Sequence, residues 1–188
     1  MSISLLNLTN SVILDTETTG LDSRARIVEI SLIDGESGTT LFSSLVNPLV
    51  AIPEQATAIH GITDADVIDA PTFDCVWNEI KEYLWESDIY IYNADYDYRL
   101  IRQSLSDFGY PLSNLIPFFH GAVCVMHWYA EFYGEWNHSC NAPKWQSLSN
   151  ACGQQGVDVS DLKAHRALAD CEMTRRLINA VNSKLIEG

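Results

Sequence analysis

The feature that most constrains the fold is a change of hydrophobic period partway along the chain. The early apolar residues come in short, β-branched runs, Val12 to Asp15, Ile27 to Ile33 and Thr40 to Val46. Turn-prone stretches part them, Thr16-Glu17-Thr18-Thr19-Gly20 after the first and Asp34-Gly35-Glu36-Ser37-Gly38 after the second. Such runs form strands, and short turns between consecutive strands imply an antiparallel meander. Beyond Pro71 the period becomes that of a helix, with Phe73, Val76, Trp77, Ile80, Tyr83 and Leu84 on one face and Pro71 expected as its first residue. Asp88 to Asn93 is a fourth strand, followed by a helix from Tyr96 to Phe108, and Gly121 to Val125 is a fifth. Helices are expected at Met126 to Phe132, Lys144 to Cys152 and Ala167 to Lys184, with a loop from Tyr133 to Pro143. A meander followed by strands alternating with helices predicts an α/β domain with a mixed five-stranded sheet flanked by helices. The 188 residues suit a single domain spanning 1–188.

Several classes are excluded. No apolar run approaches the roughly 20 residues needed to cross a bilayer, and Met1 to Asn10 carries no secretion signal, so the expected location is the cytoplasm. The five cysteines, at 75, 124, 140, 152 and 171, include no CxxC pair and read as reduced structural thiols. A metal cluster of His138 and Cys140 with His120 and His127 lacks a second closely spaced ligand pair and is set aside. The 25 Asp+Glu against 11 Lys+Arg give a formal net charge of -14. Proteins that hold duplex nucleic acid through many phosphate contacts are basic, so charge alone argues against such binding. A site gripping only a strand end escapes that objection.

Three sets of residues carry chemistry. Asp15 and Glu17, two apart on a strand, leave the same face, although the pair alone could be a solvated strand end. Asp97 follows the fourth strand at the start of a helix, where open α/β sheets present reactive groups and where Asp also serves as a cap. His165 opens the last helix, and Asp170 lies five residues on among apolar neighbours, where a charge is costly unless paired or metal-bound.

In order, a strand Asp-x-Glu, a strand-to-helix Asp and a helical His-x-x-x-x-Asp resemble the three motifs of the DEDD 3′-to-5′ exonuclease superfamily, His-containing branch. The resemblance runs from Val12 to Ile178, and Asp15 to Gly20 is similar to the opening pattern of the exonuclease X and proofreading-subunit relatives. It implies an RNase H-like fold, with Asp15, Glu17, Asp97 and Asp170 holding two divalent ions, Mg2+ or Mn2+, and His165 as general base. Converging carboxylates agree with this, since they cannot all stay ionised without cations, and imidazole takes a proton near neutral pH. By the same resemblance Thr18, Thr19 and Gly20 contact the terminal nucleotide, while Ile59, His60, Asn93 and Tyr96 line the pocket for the 3′ end. Tyr92 stands where close relatives often have His, and Tyr96 where Phe is usual. The implied substrate is a nucleic-acid 3′ end, single-stranded DNA first and RNA as the alternative, with nucleoside 5′-monophosphates released. An RNA trimmer of the oligoribonuclease or RNase T kind and a non-catalytic module on the same fold are the rival readings.

Two other features are discounted. The aromatic residues Phe118, Phe119, Trp128, Tyr129, Phe132, Tyr133 and Trp136 could stack unpaired bases, but are expected to be core with one exposed rim. Gln103 to Phe108 loosely resembles a sliding-clamp peptide, yet Leu100, Leu105 and Phe108 are expected to be buried. No protein partner is identified.

Overall fold

The computed structural model describes residues 3–85, 87–119, 121–139 and 141–187. Strands β1 (Ser11–Thr18), β2 (Ile27–Asp34) and β3 (Thr40–Leu45) form the expected antiparallel meander. Strands β4 (Asp88–Ile91) and β5 (Val123–Cys124) add in parallel, giving the order β3-β2-β1-β4-β5. Because β1, β4 and β5 point the same way, their C-terminal ends share one edge of the sheet.

Strand alternation divides the core. Val12 and Leu14 of β1 face one layer, which holds α3 (Phe73–Trp85) and α4 (Ala94–Ser106). Ile13 faces the other, made by α6 (Val125–Tyr133), α7 (Leu148–Gln155) and α8 (Ala167–Glu187). A third cluster, with Val28, Ile52, Ala56, Ile62 and Val67, packs α1 (Glu54–His60) and α2 (Asp64–Val67) beside β2. A single 3-10 turn at Leu112–Leu115 and α5 (Ile116–Phe119) complete the first layer. Among the described residues no helix is long and apolar enough to cross a membrane.

The departures from expectation are local. β1 does not turn at Thr16 but runs to Thr18, because antiparallel pairing with β2 continues through Glu17 opposite Glu29 and shifts register only at Thr18. Pro71 lies outside α3, since its carbonyl accepts the Asn47 N–H and Thr72 bridges to Asn47. Helix α7 starts at Leu148 rather than Lys144, where the Ser147 side chain accepts the Asn150 N–H. Tyr133 to Pro143 is not all loop, for Trp136–Asn137 (β6) pairs with Ala142–Pro143 (β7) as a hairpin. Helices α1 and α2 were not anticipated, being too short for a periodic signal. Phe118, Trp128 and Tyr129 are core, whereas Tyr133 and Trp136 are exposed. Leu100 and Leu105 are buried, but Phe108 is 39% exposed. Of the thiols, Cys152 and Cys171 are buried and Cys75 is exposed, all unpaired, while Cys140 and His120 lie outside the described residues.

Candidate active site

The acids converge because each sits at the shared edge. Asp15 and Glu17 are odd-numbered on β1 and leave the face covered by α8, whose first turn brings Asp170 to them. Carboxylate oxygens of Asp15, Glu17 and Asp170 lie within 4.8 Å of one another, the one such group among the described residues. Asp97 arrives from the opposite layer at the start of α4. It stays outside that triangle because its Oδ1 accepts the Thr16 hydroxyl, on the other face of β1, at 2.7 Å.

Burial and mutual repulsion both work against ionisation here. Desolvation raises the Asp15 carboxyl well above its ordinary range, and the charges of Asp97, Asp170, Glu17 and Glu29 raise it further. Glu17 is pushed up to about 8, by burial first and then by Asp170 and Glu29. Burial also pushes Asp97 up to about 7, against the pull of the Thr16 hydrogen bond. Asp170 is raised by burial too, moderated by the His165 backbone N–H that it accepts at 3.3 Å.

His165 does not open α8 but stands two residues before it, exposed and with φ 62. Left-handed backbone at a non-glycine residue is strained, and such strain persists where the surroundings enforce it. Here the enforcing contacts come from Glu29, which the sequence did not single out. Its buried carboxylate takes the Arg166 guanidinium in a two-pronged contact, with Nε to Oε2 at 3.0 Å, and the Ala167 N–H at 2.9 Å. Glu29 thus anchors Arg166 and the first N–H of α8, fixing the segment that carries His165 and Asp170. The available signal was a lone Glu inside the apolar run Ile27 to Ile33.

Beside the acids opens a cleft of about 870 Å3. Its lining includes Glu17, Thr18, Thr19, Gly20, Ile59, His60, Asn93 and Tyr96, so all seven residues expected at the substrate end share one cavity. Several are already engaged. The Tyr96 hydroxyl donates to the Gly20 carbonyl at 2.9 Å and meets Thr18 Oγ1 at 2.6 Å, so Tyr96 braces the turn after β1. Thr19 Oγ1 accepts the Arg26 N–H. His60 is the buried end of α1, where Gly61 adopts φ 79 as the cap. Its Nδ1 accepts the Ile62 N–H at 3.0 Å, which leaves Nε2 to donate to the Thr18 carbonyl at 3.3 Å. Tyr92 is likewise structural, its hydroxyl donating to the Gln146 carbonyl at 2.9 Å. Leu21, Ile59 and Val50 form an exposed apolar rim that sequence reading had recognised only at Ile59.

A mixed sheet with clustered carboxylates at the C-terminal edge of β1, beside an open cleft, defines an acid-centred hydrolase of the RNase H-like class. The family model described as "Exonuclease", RNase_T, matches residues 12–178, and the chain belongs to this exonuclease family. An uncharacterized exonuclease, CP81, of Escherichia phage 186 is 44% identical over 171 residues, covering 90% of this chain and 87% of that protein. The DNA polymerase III epsilon subunit of Rickettsia conorii is 37% identical over 100 residues, and the match spans 50% of this chain and 44% of that subunit. Among solved structures, exonuclease X in complex with 5′ overhanging duplex DNA superposes with a TM-score of 0.67 at 30% identity, covering 92% of this chain and 91% of that one. Exonuclease I of E. coli in complex with a dA16 oligonucleotide shares the fold, with a TM-score of 0.70 at 18% identity, over 94% of this chain and 42% of that one.

Proposed function

We propose that this exonuclease works from the 3′ end of DNA, on single-stranded or frayed termini, and releases nucleoside 5′-monophosphates. The observation that carries the reading is the convergence of Asp15, Glu17 and Asp170 within 4.8 Å beside a cleft large enough for a terminal nucleotide. An all-oxygen donor set whose members are driven toward protonation by burial, and in part by one another's charge, fits two hard divalent ions, Mg2+ or Mn2+. Asp15, Glu17, Asp97 and Asp170 would hold them. Bound there, such ions supply Lewis-acid stabilisation of charge on the phosphate.

The protein's own groups do the rest. Thr18, Gly20, Ile59, Asn93 and Tyr96 seat the terminal nucleotide, and His60 keeps the wall of the cleft in place. His165, exposed and carried on the segment that the Glu29–Arg166 anchor fixes, takes the proton of the attacking water on its ring nitrogen. In-line displacement then frees the 3′ oxygen of the shortened strand. Residues 1–188 act as one catalytic unit in the cytoplasm.

The net charge of -14 favours a second reading, a trimmer of short RNA, because long polyanions are repelled. End-labelled single-stranded DNA, duplex DNA and RNA, digested side by side with Mg2+, Mn2+ and EDTA, decide between them. Fastest loss of single-stranded DNA, abolished by EDTA, is expected. Preference for RNA would replace the leading reading with the second, and no metal-dependent cleavage of any strand would overturn both.

A further inference from the structure

A chain with so few cations must hold the rest of its substrate by something other than phosphate contacts, and the structure offers one surface suited to that. Trp145 is 63% exposed and Trp136 is 45% exposed. Indoles are enriched at binding surfaces, and the third exposed one, Trp85 at 59%, ends α3 on the opposite layer. The back of Trp145 rests on the His127 ring, with centroids 5.2 Å apart and planes 32° from parallel. Trp136 stands on the β6–β7 hairpin opposite Pro143.

The chain that carries these side chains is held by its neighbours. Lys144 donates its backbone N–H to the Glu135 carbonyl at 2.7 Å and its ammonium to the Glu135 carboxylate at 2.6 Å. Gln146, on the other side of Trp145, reaches the same carboxylate at 3.0 Å and accepts from Gln154 at 3.0 Å. The Lys144–Glu135 pair cancels its own charge, so the surface between the indoles avoids the acidic bias of the rest of the molecule. A rigid, neutral aromatic face binds bases without paying an ordering cost.

Its position is continuous with the active site. The Gln146 carbonyl takes the Tyr92 hydroxyl, and Tyr92 precedes Asn93 of the cleft. His127 lies in the first turn of α6, directly after β5. Along the shared edge the acids come from β1, Asn93 and Asp97 follow β4, and His127, on which Trp145 rests, follows β5. The cleft belongs to the side of α1 and α4, whereas α6 and α7 pack on the layer of α8. Trp145 therefore lies on the β5 side of the sheet, whereas α1, which lines the cleft, packs beside β2.

We propose that Trp145 and Trp136 form a stacking platform for unpaired bases upstream of the 3′ terminus. The platform rests on the reading of the cleft as a 3′-end site, and it gives this acidic enzyme a grip on the strand through bases rather than phosphates. An oligothymidylate of about 20 nucleotides titrated into the full chain in EDTA, followed by tryptophan fluorescence, measures the contact without catalysis. Trp145→Ala and Trp136→Ala should each raise Kd by about tenfold, as expected for one lost stacked base, and Trp145→Phe should recover most of it. A strand of equal length with abasic sites upstream should bind the wild type as weakly as the normal strand binds Trp145→Ala. In Mg2+, the ratio of kcat/KM for the intact oligothymidylate to kcat/KM for a single-nucleotide thymidine 5′-phosphate ester should fall by a similar factor in the alanine variants. Equal affinity of wild type and alanine variants, or of normal and abasic strands, would overturn the platform and leave the patch to a protein partner. A wild type that binds through the indoles yet hydrolyses neither substrate would instead overturn the exonuclease reading.

Discussion

Replacing Glu17 with Gln should stabilise the metal-free protein while abolishing its activity. Glu17 is pushed up to about 8 from an ordinary 4.5 by burial and by Asp170 and Glu29. Its folded-state value lies above the unfolded one, so the native state binds the extra proton between those limits. Stability from this group is therefore complete below about pH 4.5 and is lost as pH rises toward 8. At pH 7 the cost is about 1.4 kcal/mol for each of roughly 2.5 pH units, or about 3 kcal/mol. Gln keeps the shape, never ionises, and can donate to Asp15 or Asp170. A protein of this size moves by about 2–4 °C per kcal/mol, so the variant should melt about 6–12 °C above wild type at pH 7 in EDTA. Near pH 5 the difference should shrink to under about 1 kcal/mol, because wild-type Glu17 is then mostly protonated. Adding Mg2+ should raise the wild-type melting temperature and leave the variant nearly unmoved, since only the wild type keeps the full ligand set. Equal melting temperatures in EDTA at pH 7, or a gain that is the same at both pH values, would refute the repulsion argument.

Three further outcomes follow from the same geometry. Arg166→Ala strands the buried Glu29 carboxylate beside Glu17 and should cost about 2 kcal/mol, less than a fully buried pair because Arg166 is 38% exposed, with kcat falling as the His165 segment loosens; thermal melts and single-turnover rates check both. His165→Asn, which tolerates the left-handed backbone, should keep or raise the melting temperature while lowering kcat by roughly 100-fold; a destabilised but active variant would make His165 structural. Lys163, the one cation among the described residues with no hydrogen bond, ion pair or ring contact, has its ammonium 3.7 Å from where a Cβ at Gly61 would lie. Lys163→Ala should raise KM by about threefold and flatten the dependence of log KM on log salt by about 1.

The antiparallel meander and the positions of the acids on their elements were legible because both rest on short-range patterns. Alternation assigned Asp15 and Glu17 to one face of a strand, and the apolar period of the last helix placed Asp170 at the core edge. What could not be read depends on contacts between distant segments. Glu29 is an ordinary strand residue until Arg166, 137 positions on, folds over it. Tyr92 and Tyr96 have plain roles only once the Gln146 and Gly20 carbonyls are seen as acceptors. Helices α1 and α2, of 7 and 4 residues, are set by capping and by Ile52, Ala56 and Ile62 docking on Val28 rather than by propensity. Trp145 escaped notice because exposure is a property of the folded surface.

The most direct test of the central claim is a time course on one single-stranded DNA labelled separately at each end, in Mg2+ or Mn2+. The account predicts that a 3′ label is released at once as a mononucleotide, that a 5′ label descends through a ladder losing one nucleotide at a time, and that EDTA or Asp15→Ala stops both. Early release of the 5′ label, internal cuts as first products, or undiminished cleavage by Asp15→Ala would contradict it.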